Sequence, residues 1–166
     1  MPGISQDEFE RIFVDWYSQL RNYVYYKSGD MQVAEDIVQD TFLRIWERKE
    51  SIRIDTAKSL LYKIANNLFI NRLDHNKVQL KFTEEYSINE YSLPTDFEME
   101  MKEFDERLKR SLSELDEKNR VVFLMNRIDD LTYKEIAENL GLSQKAVEKR
   151  MGKALSFLKE KLDVKI

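Results

Sequence analysis

The chain has 166 residues, of which 42% are hydrophobic and 35% are charged, and its formal net charge is −4. This length and hydrophobic content predict one ordinary domain or two small ones, each with a packed core. There is no cysteine, and His75 is the only histidine. These counts exclude a disulfide scaffold, a cysteine nucleophile and any metal site built on cysteines or paired histidines, so we expect neither a metal nor a cofactor.

The sequence gives no sign of a membrane span or a secretion signal. The longest apolar run, Val121 to Met125, is far shorter than the roughly 20 residues that span a bilayer. The N-terminus lacks the charged and then apolar pattern of a signal peptide. We therefore expect a cytoplasmic protein.

Hydrophobic periodicity predicts an all-α fold. Apolar residues recur at spacings of three and four, and proline and glycine are few. Ser5 is expected to cap the first helix, Asp30 the second and Thr56 the third. These three amphipathic helices predict a compact N-terminal bundle. Its inward faces are expected to include Phe13, Trp46, Leu61, Ala65 and Phe69.

An acidic stretch separates this bundle from the C-terminal part. Residues 83–118 contain 12 acidic and 5 basic side chains, whereas residues 119–166 contain 7 acidic and 10 basic ones. Thr95 and Glu98 form a capping box, which predicts a helix inside the acidic stretch. The predicted organisation is an N-terminal helical domain at 1–82, an acidic linker with a helix at 83–111, and a C-terminal domain at 112–166.

The most specific local pattern covers residues 131–151. A short amphipathic helix is followed by Gly141, which favours a left-handed turn, and by Ser143, which is expected to cap a second helix. Ala137 is small, as a close crossing of two helices requires, and Val147 closes the small core. This spacing is typical of a helix-turn-helix.

The second helix of this motif carries an outward face rich in hydrogen-bond donors. Such a face suits base edges and phosphates in the major groove, whereas the alternative interpretation is a solvated basic surface. The agreement of caps, turn and outward charge favours DNA binding. The residues predicted to contact duplex DNA are Gln144, Lys145, Glu148, Lys149, Arg150 and Lys153.

The third helix is predicted to be basic. Between residues 58 and 81, five basic side chains accompany one acidic one, which gives a net charge of +4. This composition suits a single nucleic-acid strand, because basic groups track phosphates while amides and aromatic rings meet exposed bases. The alternative is a solvated basic face with the aromatic residues in the core. The candidate strand-binding residues are Lys63, Asn66, Asn67, Asn71 and Arg72.

Three stretches together resemble one known family. They are AEDIVQDTFLRIWE at residues 34–47, LLYKIANNLFINRL at residues 60–73, and the helix-turn-helix. In this order they are similar to the extracytoplasmic-function sigma factors of bacterial RNA polymerase. The resemblance implies that the N-terminal domain, sigma region 2, binds core polymerase and opens the minus-ten element. It also implies that the C-terminal domain, sigma region 4, reads the minus-thirty-five element.

The resemblance also implies roles for particular residues of the N-terminal domain. Asp36, Gln39 and Asp40 lie at spacings of three and four and match the positions with which sigma factors hold the largest polymerase subunit. Asn67 matches the residue near the base that is flipped out of the minus-ten strand. Leu60 departs from the family pattern, because many relatives have tryptophan at this position.

The sigma-factor interpretation predicts a protein that is not an enzyme and is monomeric when free. The partners that it implies are core RNA polymerase, promoter DNA as duplex and as melted single strand, and a membrane-linked anti-sigma factor. Two rival functions stay open on the residues alone. A dimeric helix-turn-helix repressor would need an exposed apolar dimer stripe. A helical adaptor that binds only protein would show no salt-dependent DNA binding.

Overall fold

The computed structural model of the protein describes residues 3–76 and 95–163, with side chains described for 3–74 and 103–163. Every regular element in these ranges is helical, which confirms the predicted all-α fold. The elements are α1 (Gln6–Ser28), α2 (Met31–Glu47), a 3-10 turn (Lys49–Ser51), α3 (Ile54–Asn76), α4 (Thr95–Glu114), α5 (Glu117–Arg127), α6 (Tyr133–Leu140) and α7 (Gln144–Leu162).

Helices α1, α2 and α3 pack together in the N-terminal bundle that the sequence predicts. The Ser5 hydroxyl accepts a hydrogen bond from the Glu8 backbone N–H at 3.2 Å and caps the start of α1. Gly29 ends α1 at a φ of 70°, a left-handed conformation that suits glycine. Asp30 caps α2 by accepting from two backbone N–H groups. The capping predictions for α1 and α2 are therefore confirmed.

The prediction that Thr56 caps α3 is wrong. The helix begins two residues earlier, at Ile54, so Thr56 lies inside its first turn. The Thr56 hydroxyl donates to the Arg53 carbonyl at 3.2 Å instead of accepting from a backbone N–H. Asp55 supplies the negative charge that a helix N-terminus favours.

Two aromatic side chains that the periodicity predicts to be in the core are at its edge. Phe13 is 41% exposed and Trp46 is 38% exposed. The Phe13 ring contacts the ring of Phe42, and the Trp46 ring contacts that of Phe9, with centroid distances of 5.1 and 5.0 Å. Both residues pack edge-on between α1 and α2, so that one side of each ring stays at the surface.

Helices α4 to α7 form the C-terminal half. Helix α4 packs against α7, Leu112 is buried, and the Arg107 guanidinium donates to the Leu162 carbonyl at 3.0 Å. The helix predicted inside the acidic stretch is present, and it continues through Glu114. The boundary predicted between residues 111 and 112 falls within this helix, whose C-terminal part packs with the helix-turn-helix.

The helix-turn-helix has the local chemistry that its sequence predicts. Thr132 and Glu135 cap α6 reciprocally, and Gly141 turns the chain at a φ of 68°. The Ser143 hydroxyl accepts from a backbone N–H in the first turn of α7 at 3.1 Å. Val147 is fully buried between the helices. Each of these features was expected from the type of residue at that position.

The two halves are in direct contact. Helix α1 packs against α5, and α3 packs against α6. The buried apolar side chains of both halves belong to one continuous cluster. None of the described helices has the length and apolar character of a bilayer span.

Candidate nucleic-acid and polymerase interfaces

The polar face of α7 is held at the surface because its opposite face is anchored. Val147, Met151 and Ala154 follow one another at spacings of four and three and are buried, and α5 and α6 pack against this helix. The helix-turn-helix thus fixes the rotation of α7 about its own axis. Five of the six candidate residues on this helix are exposed: Gln144, Lys145, Glu148, Lys149 and Lys153.

Arg150 is the sixth candidate on α7, and it is partly buried. Its charge acts on α1, in the other half of the molecule. Burial raises the pKa of the Tyr23 hydroxyl, the negative charge of Glu117 raises it further, and the positive charge of Arg150 opposes both. Arg150 therefore lies close to the contact between the two halves.

Helix α3 carries the candidate strand-binding residues. Phe69 is 1% exposed, so the sequence interpretation that placed it in the core is confirmed. Lys77 and Lys81, which contribute to the predicted positive charge of this region, and the side chain of His75 lie outside the described residues. Of the five candidates, Lys63, Asn67 and Asn71 are exposed, and Asn66 and Arg72 are partly buried.

Part of this face of α3 lines a cavity of about 520 Å³ between the two halves. Lys63, Asn66 and Leu60 contribute to its wall from α3. Asn139 and Gly141, at the C-terminal end of α6, contribute from the opposite side. Lys63 and Asn66 thus face the helix-turn-helix across this cavity, and Lys63 stays exposed to solvent.

The acidic patch on α2, which consists of Asp36, Gln39 and Asp40, is connected to α3. Gln39 and Asp40 are exposed, and Asp36 is partly exposed. The Asp36 carboxylate accepts from the Gln32 side-chain amide at 2.9 Å and pairs with the Arg72 guanidinium at 3.5 Å. A partly exposed pair of this kind contributes little to stability. It does link the candidate polymerase patch to the candidate strand-binding helix.

Sequence reasoning missed an exposed apolar patch beside these residues. Leu43 is 54% exposed, and Phe13 and Trp46 are the two half-exposed aromatic residues described above. Leu43 lies three residues after Asp40, so the two side chains are neighbours on the surface of α2. The sequence feature that could have indicated this patch is that Leu43 is apolar but lies outside the periodic apolar stripe of this helix.

Comparison with known proteins identifies the family. The family model "Sigma-70 region 2" matches residues 12–78, and the model "Sigma-70, region 4" matches residues 105–158. The ferric citrate uptake sigma factor FecI of Escherichia coli is 31% identical over 149 residues, which cover 89% of this chain and 86% of FecI. The chain belongs to the extracytoplasmic-function sigma factors of the sigma-70 family.

This sigma factor also matches other family members over almost its whole length. The sigma factor YlaC of Bacillus subtilis is 28% identical over 163 residues, covering 95% of this chain and 93% of YlaC. The solved structure of the sigma factor RpoE with the anti-sigma factor NepR from Bartonella quintana has a TM-score of 0.68 at 21% identity. It covers 95% of this chain and 98% of RpoE, and it shows the shared fold.

Membership of the family establishes the general function. The protein directs core RNA polymerase to a specific set of promoters and initiates transcription there. Core polymerase and promoter DNA are its partners. The repressor and the adaptor, which the residues alone left open, are not favoured.

Proposed function

We propose that the two halves of this sigma factor divide promoter recognition between α7 and α3. Helix α7 reads the duplex of the minus-thirty-five element, and α3 holds the melted strand of the minus-ten element. Asp36, Gln39 and Asp40 on α2 contact core polymerase. In this division residues 1–82 act as region 2 and residues 112–166 as region 4. The observation that carries the proposal is the exposed polar face of α7 on an anchored helix-turn-helix.

The residues of α7 have two kinds of contact in this proposal. Glu148 accepts from a cytosine amino group and Lys149 donates to guanine acceptors, since both directly follow the buried anchor Val147. Arg150 and Lys153 contact phosphates at the flanks, where they fix the orientation of the helix without reading sequence. Gln144 and Lys145, in the first turn, enter the groove together with the N-terminus of the helix.

On α3 the proposal places an exposed base against amide side chains. Taking a base out of the stack costs a few kcal/mol, which contacts to the flipped base must offset. The exposed Asn67 amide offers two donors and one acceptor to such a base. Asn66 and Asn71 flank it, while Lys63 and Arg72 lie where phosphates of the strand would pass.

The polymerase contact and the two DNA contacts are each weak, but together they bind strongly because one chain connects them. Once polymerase holds α2, the later DNA contacts become intramolecular and gain from a high effective concentration. The sigma factor itself supplies recognition and strand separation, and the polymerase supplies the chemistry, so we assign no reaction to this chain. The free protein is accordingly expected to bind promoters poorly.

Regulation by an anti-sigma factor is the remaining part of the proposal. The solved relative RpoE is bound to the anti-sigma factor NepR. By extension, we expect this sigma factor to be a monomer in the cytoplasm when free, with a membrane-linked anti-sigma factor as its inhibitor. Sedimentation of the pure protein tests the monomer, and affinity capture from the source bacterium tests the inhibitor.

The polymerase contact is tested by co-elution with core polymerase. The double substitution Gln39→Ala and Asp40→Lys reverses the charge of the exposed part of the patch, so binding should be lost. Both side chains are exposed, so the helical fold should survive. Glu10→Lys makes the same charge reversal at an exposed position on α1 and serves as the control. Unchanged co-elution of the folded double variant would contradict the assignment.

The minus-ten contact is tested by transcription with core polymerase on genomic DNA, with start sites mapped, followed by permanganate footprinting. Asn67→Ala should slow open-complex formation without weakening polymerase binding. Asn119→Ala, on α5, provides an asparagine control outside the two candidate DNA-binding helices. If Asn67→Ala opens promoters at the rate of the control, the role given to Asn67 is wrong.

A further inference from the structure

Three of the four glycines in this chain stand where the fold itself requires glycine. Gly29 and Gly141 have φ angles of 70° and 68°, in the left-handed region that residues with a Cβ rarely adopt. A Cβ on Gly3 would collide with the backbone carbonyl oxygens of Lys49 and Glu50. Each of these three glycines is therefore explained by backbone geometry or by contacts within the chain.

Gly152 has no such explanation. It lies inside α7, its φ is not positive, and its position is exposed. A Cβ at this position would meet no atom within 4 Å in the described part of the chain. Glycine is less favourable in a helix interior than any residue except proline, because it gives up the most backbone freedom on folding. Position 152 therefore lowers the stability of α7 without making room for any other described part of the protein.

The position of Gly152 on α7 shows what a side chain there would face. Gly152 follows Lys149 by three residues and Glu148 by four, so it lies on the face of these two proposed base readers, one helical turn further on. Lys145 lies on the same face two turns before Gly152, at a spacing of seven. All four positions are exposed, whereas the anchor Val147 is buried. Gly152 is thus a stretch of bare backbone within the exposed polar face of α7.

A helix that enters the major groove with its N-terminal end meets two kinds of surface. Its first residues contact base edges, and residues further along come to the sugar-phosphate backbone that borders the groove. Gln144 is the first residue of α7, so Gly152 lies in the third turn, beyond the proposed readers. Arg150 and Lys153, on either side of it in sequence, carry the charges proposed above to contact phosphates. Glycine lets a helix backbone approach such a surface closely, because no Cβ intervenes.

We propose that Gly152 is the point of closest approach between α7 and the sugar-phosphate backbone of the minus-thirty-five duplex, and that its missing side chain sets how deeply Glu148 and Lys149 reach into the groove. The inference rests on the proposed function of α7. Gly152 reads no base in this arrangement and acts as a positioning residue. A glycine that destabilises the free helix is then explained by the complex, in which a larger residue would hold the helix away from the DNA.

Substitutions at Gly152 should change stability and DNA binding in opposite directions. Gly152→Ala and Gly152→Leu each place a side chain that favours a helix into open space, so each should raise the midpoint of thermal unfolding by roughly 2–4 °C. Weaker DNA binding by a variant that is more stable than the parent is then not due to misfolding. Ser18→Leu adds a leucine at an exposed position on α1 and is the matched control for the larger side chain.

DNA binding is measured with the holoenzyme, formed from core polymerase and each full-length variant. The probes are two labelled duplexes: a promoter mapped by the genomic transcription experiment above, and the same duplex with its minus-thirty-five element scrambled. Gly152→Leu should lower the affinity for the mapped promoter about tenfold, which corresponds to 1.4 kcal/mol, and Gly152→Ala should lower it less. The preference for the mapped over the scrambled element should narrow in the same order, because the base readers are lifted from the groove. Ser18→Leu should match the parent in both respects.

Lys149→Ala, tested on the same two duplexes, separates failure of the inference from failure of the proposed function. If Lys149→Ala narrows the preference while both Gly152 variants bind as the parent does, α7 reads the element and the inference is wrong. If neither Lys149→Ala nor Gly152→Leu changes binding, the proposed function of α7 is overturned, and the inference with it. If Gly152→Leu weakens binding to both duplexes by the same factor, the close approach is supported and the control of depth is overturned.

Discussion

The two candidate DNA-binding helices of this sigma factor differ in what surrounds them. On α7, five of six candidate residues are exposed, and the sixth, Arg150, borders the other half. On α3, Lys63 and Asn66 line the cavity opposite α6, and Arg72 is paired with Asp36. Both helices have a basic, amide-containing face in sequence. Tertiary neighbours, more than local composition, therefore decide which face is available to a ligand.

The largest expected effect comes from removing Arg120, a buried arginine on α5 whose guanidinium donates to carbonyls at the ends of α1 and α4. Arg120→Met keeps the apolar stem but removes all donors to four carbonyls in two halves. Hydrogen bonds of charged groups are worth roughly 1.5–3 kcal/mol each, and buried acceptors left unpaired add a desolvation cost. We expect the free energy of unfolding to fall by about 3–5 kcal/mol, because several buried hydrogen bonds are lost together.

Urea denaturation followed by circular dichroism measures this loss. Arg110→Met, at an exposed position on α4, is the control and should change the midpoint little. We also expect the single transition of the parent to split in Arg120→Met, because the contact that couples the halves is gone. Equal midpoints for the two variants would show that Arg120 does not hold the halves together.

Arg120 also marks the limit of what the sequence predicts. Helices, caps and the helix-turn-helix follow from local rules, and Ser5, Gly29, Thr132 and Ser143 all act as their residue types predict. An arginine in an amphipathic helix is normally expected at the surface. Its burial depends on two helix ends that are distant in sequence, and no local pattern contains that information.

The surface of the N-terminal bundle gives a second example of burial that the local sequence does not predict. Periodicity predicts that Phe13 and Trp46 are inside, because it identifies a face and not the extent to which neighbours cover that face. Phe69 lies on the polar, basic helix and is buried as expected. The candidate residues of the three interfaces were selected by type and by family resemblance, and their roles stay predictions until tested.

Substitutions on α7 should distinguish the residues that read bases from those that contact phosphates. Glu148→Ala or Lys149→Ala should relax preference at one or two base pairs, with a cost of roughly 1–3 kcal/mol on the native sequence. Lys153→Ala should weaken all sequences about equally and reduce the salt slope by about one unit. Transcription from a library with a randomised minus-thirty-five element measures both effects.

The pattern of responses in that library tests the rotation of α7. Lys153 serves as the internal control, since it is exposed on the same helix and carries the same charge as Lys149. Should Lys153→Ala change base preference while Glu148→Ala and Lys149→Ala leave it intact, the helix presents a different face to the groove. The assignment of base readers would then have to be withdrawn.

A third, smaller effect compares two threonines that look alike in sequence. Thr132 accepts from the Glu135 backbone N–H and caps α6, whereas Thr56 lies inside the first turn of α3. Thr132→Ala should therefore cost about 1 kcal/mol of stability. Thr56→Ala should stay within about 0.5 kcal/mol of the parent. Thermal unfolding measures both, and an equal loss at the two positions would contradict the capping assignment.

The smallest expected effect is on the pH dependence of stability, where two carboxyl groups act in opposite directions. Burial raises the pKa of Asp129 above its ordinary value of 3.8, and the hydrogen bonds from Tyr26 and Asn22 oppose this only in part. The hydrogen bonds with Thr132 lower the pKa of Glu135 below its ordinary value of 4.5. The folded protein thus holds a proton more tightly than the unfolded chain at Asp129 and less tightly at Glu135.

The direction in which stability changes with pH follows from this difference in proton binding. As pH rises from 3.8 through the raised pKa of Asp129, stability falls, because the partly buried carboxyl loses its proton. The contribution of Glu135 is complete above 4.5 and is lost as pH falls through its lowered pKa. In Asp129→Asn, stability should therefore no longer fall as the pH rises through this range. In Glu135→Gln, the rise in stability with increasing pH that Glu135 contributes should be absent. Chemical denaturation from acid to neutral pH measures both slopes. Because Asp129 accepts hydrogen bonds from Asn22 and Tyr26 on α1, whereas Glu135 contacts Thr132 within the helix-turn-helix, separating the halves should abolish only the Asp129 effect.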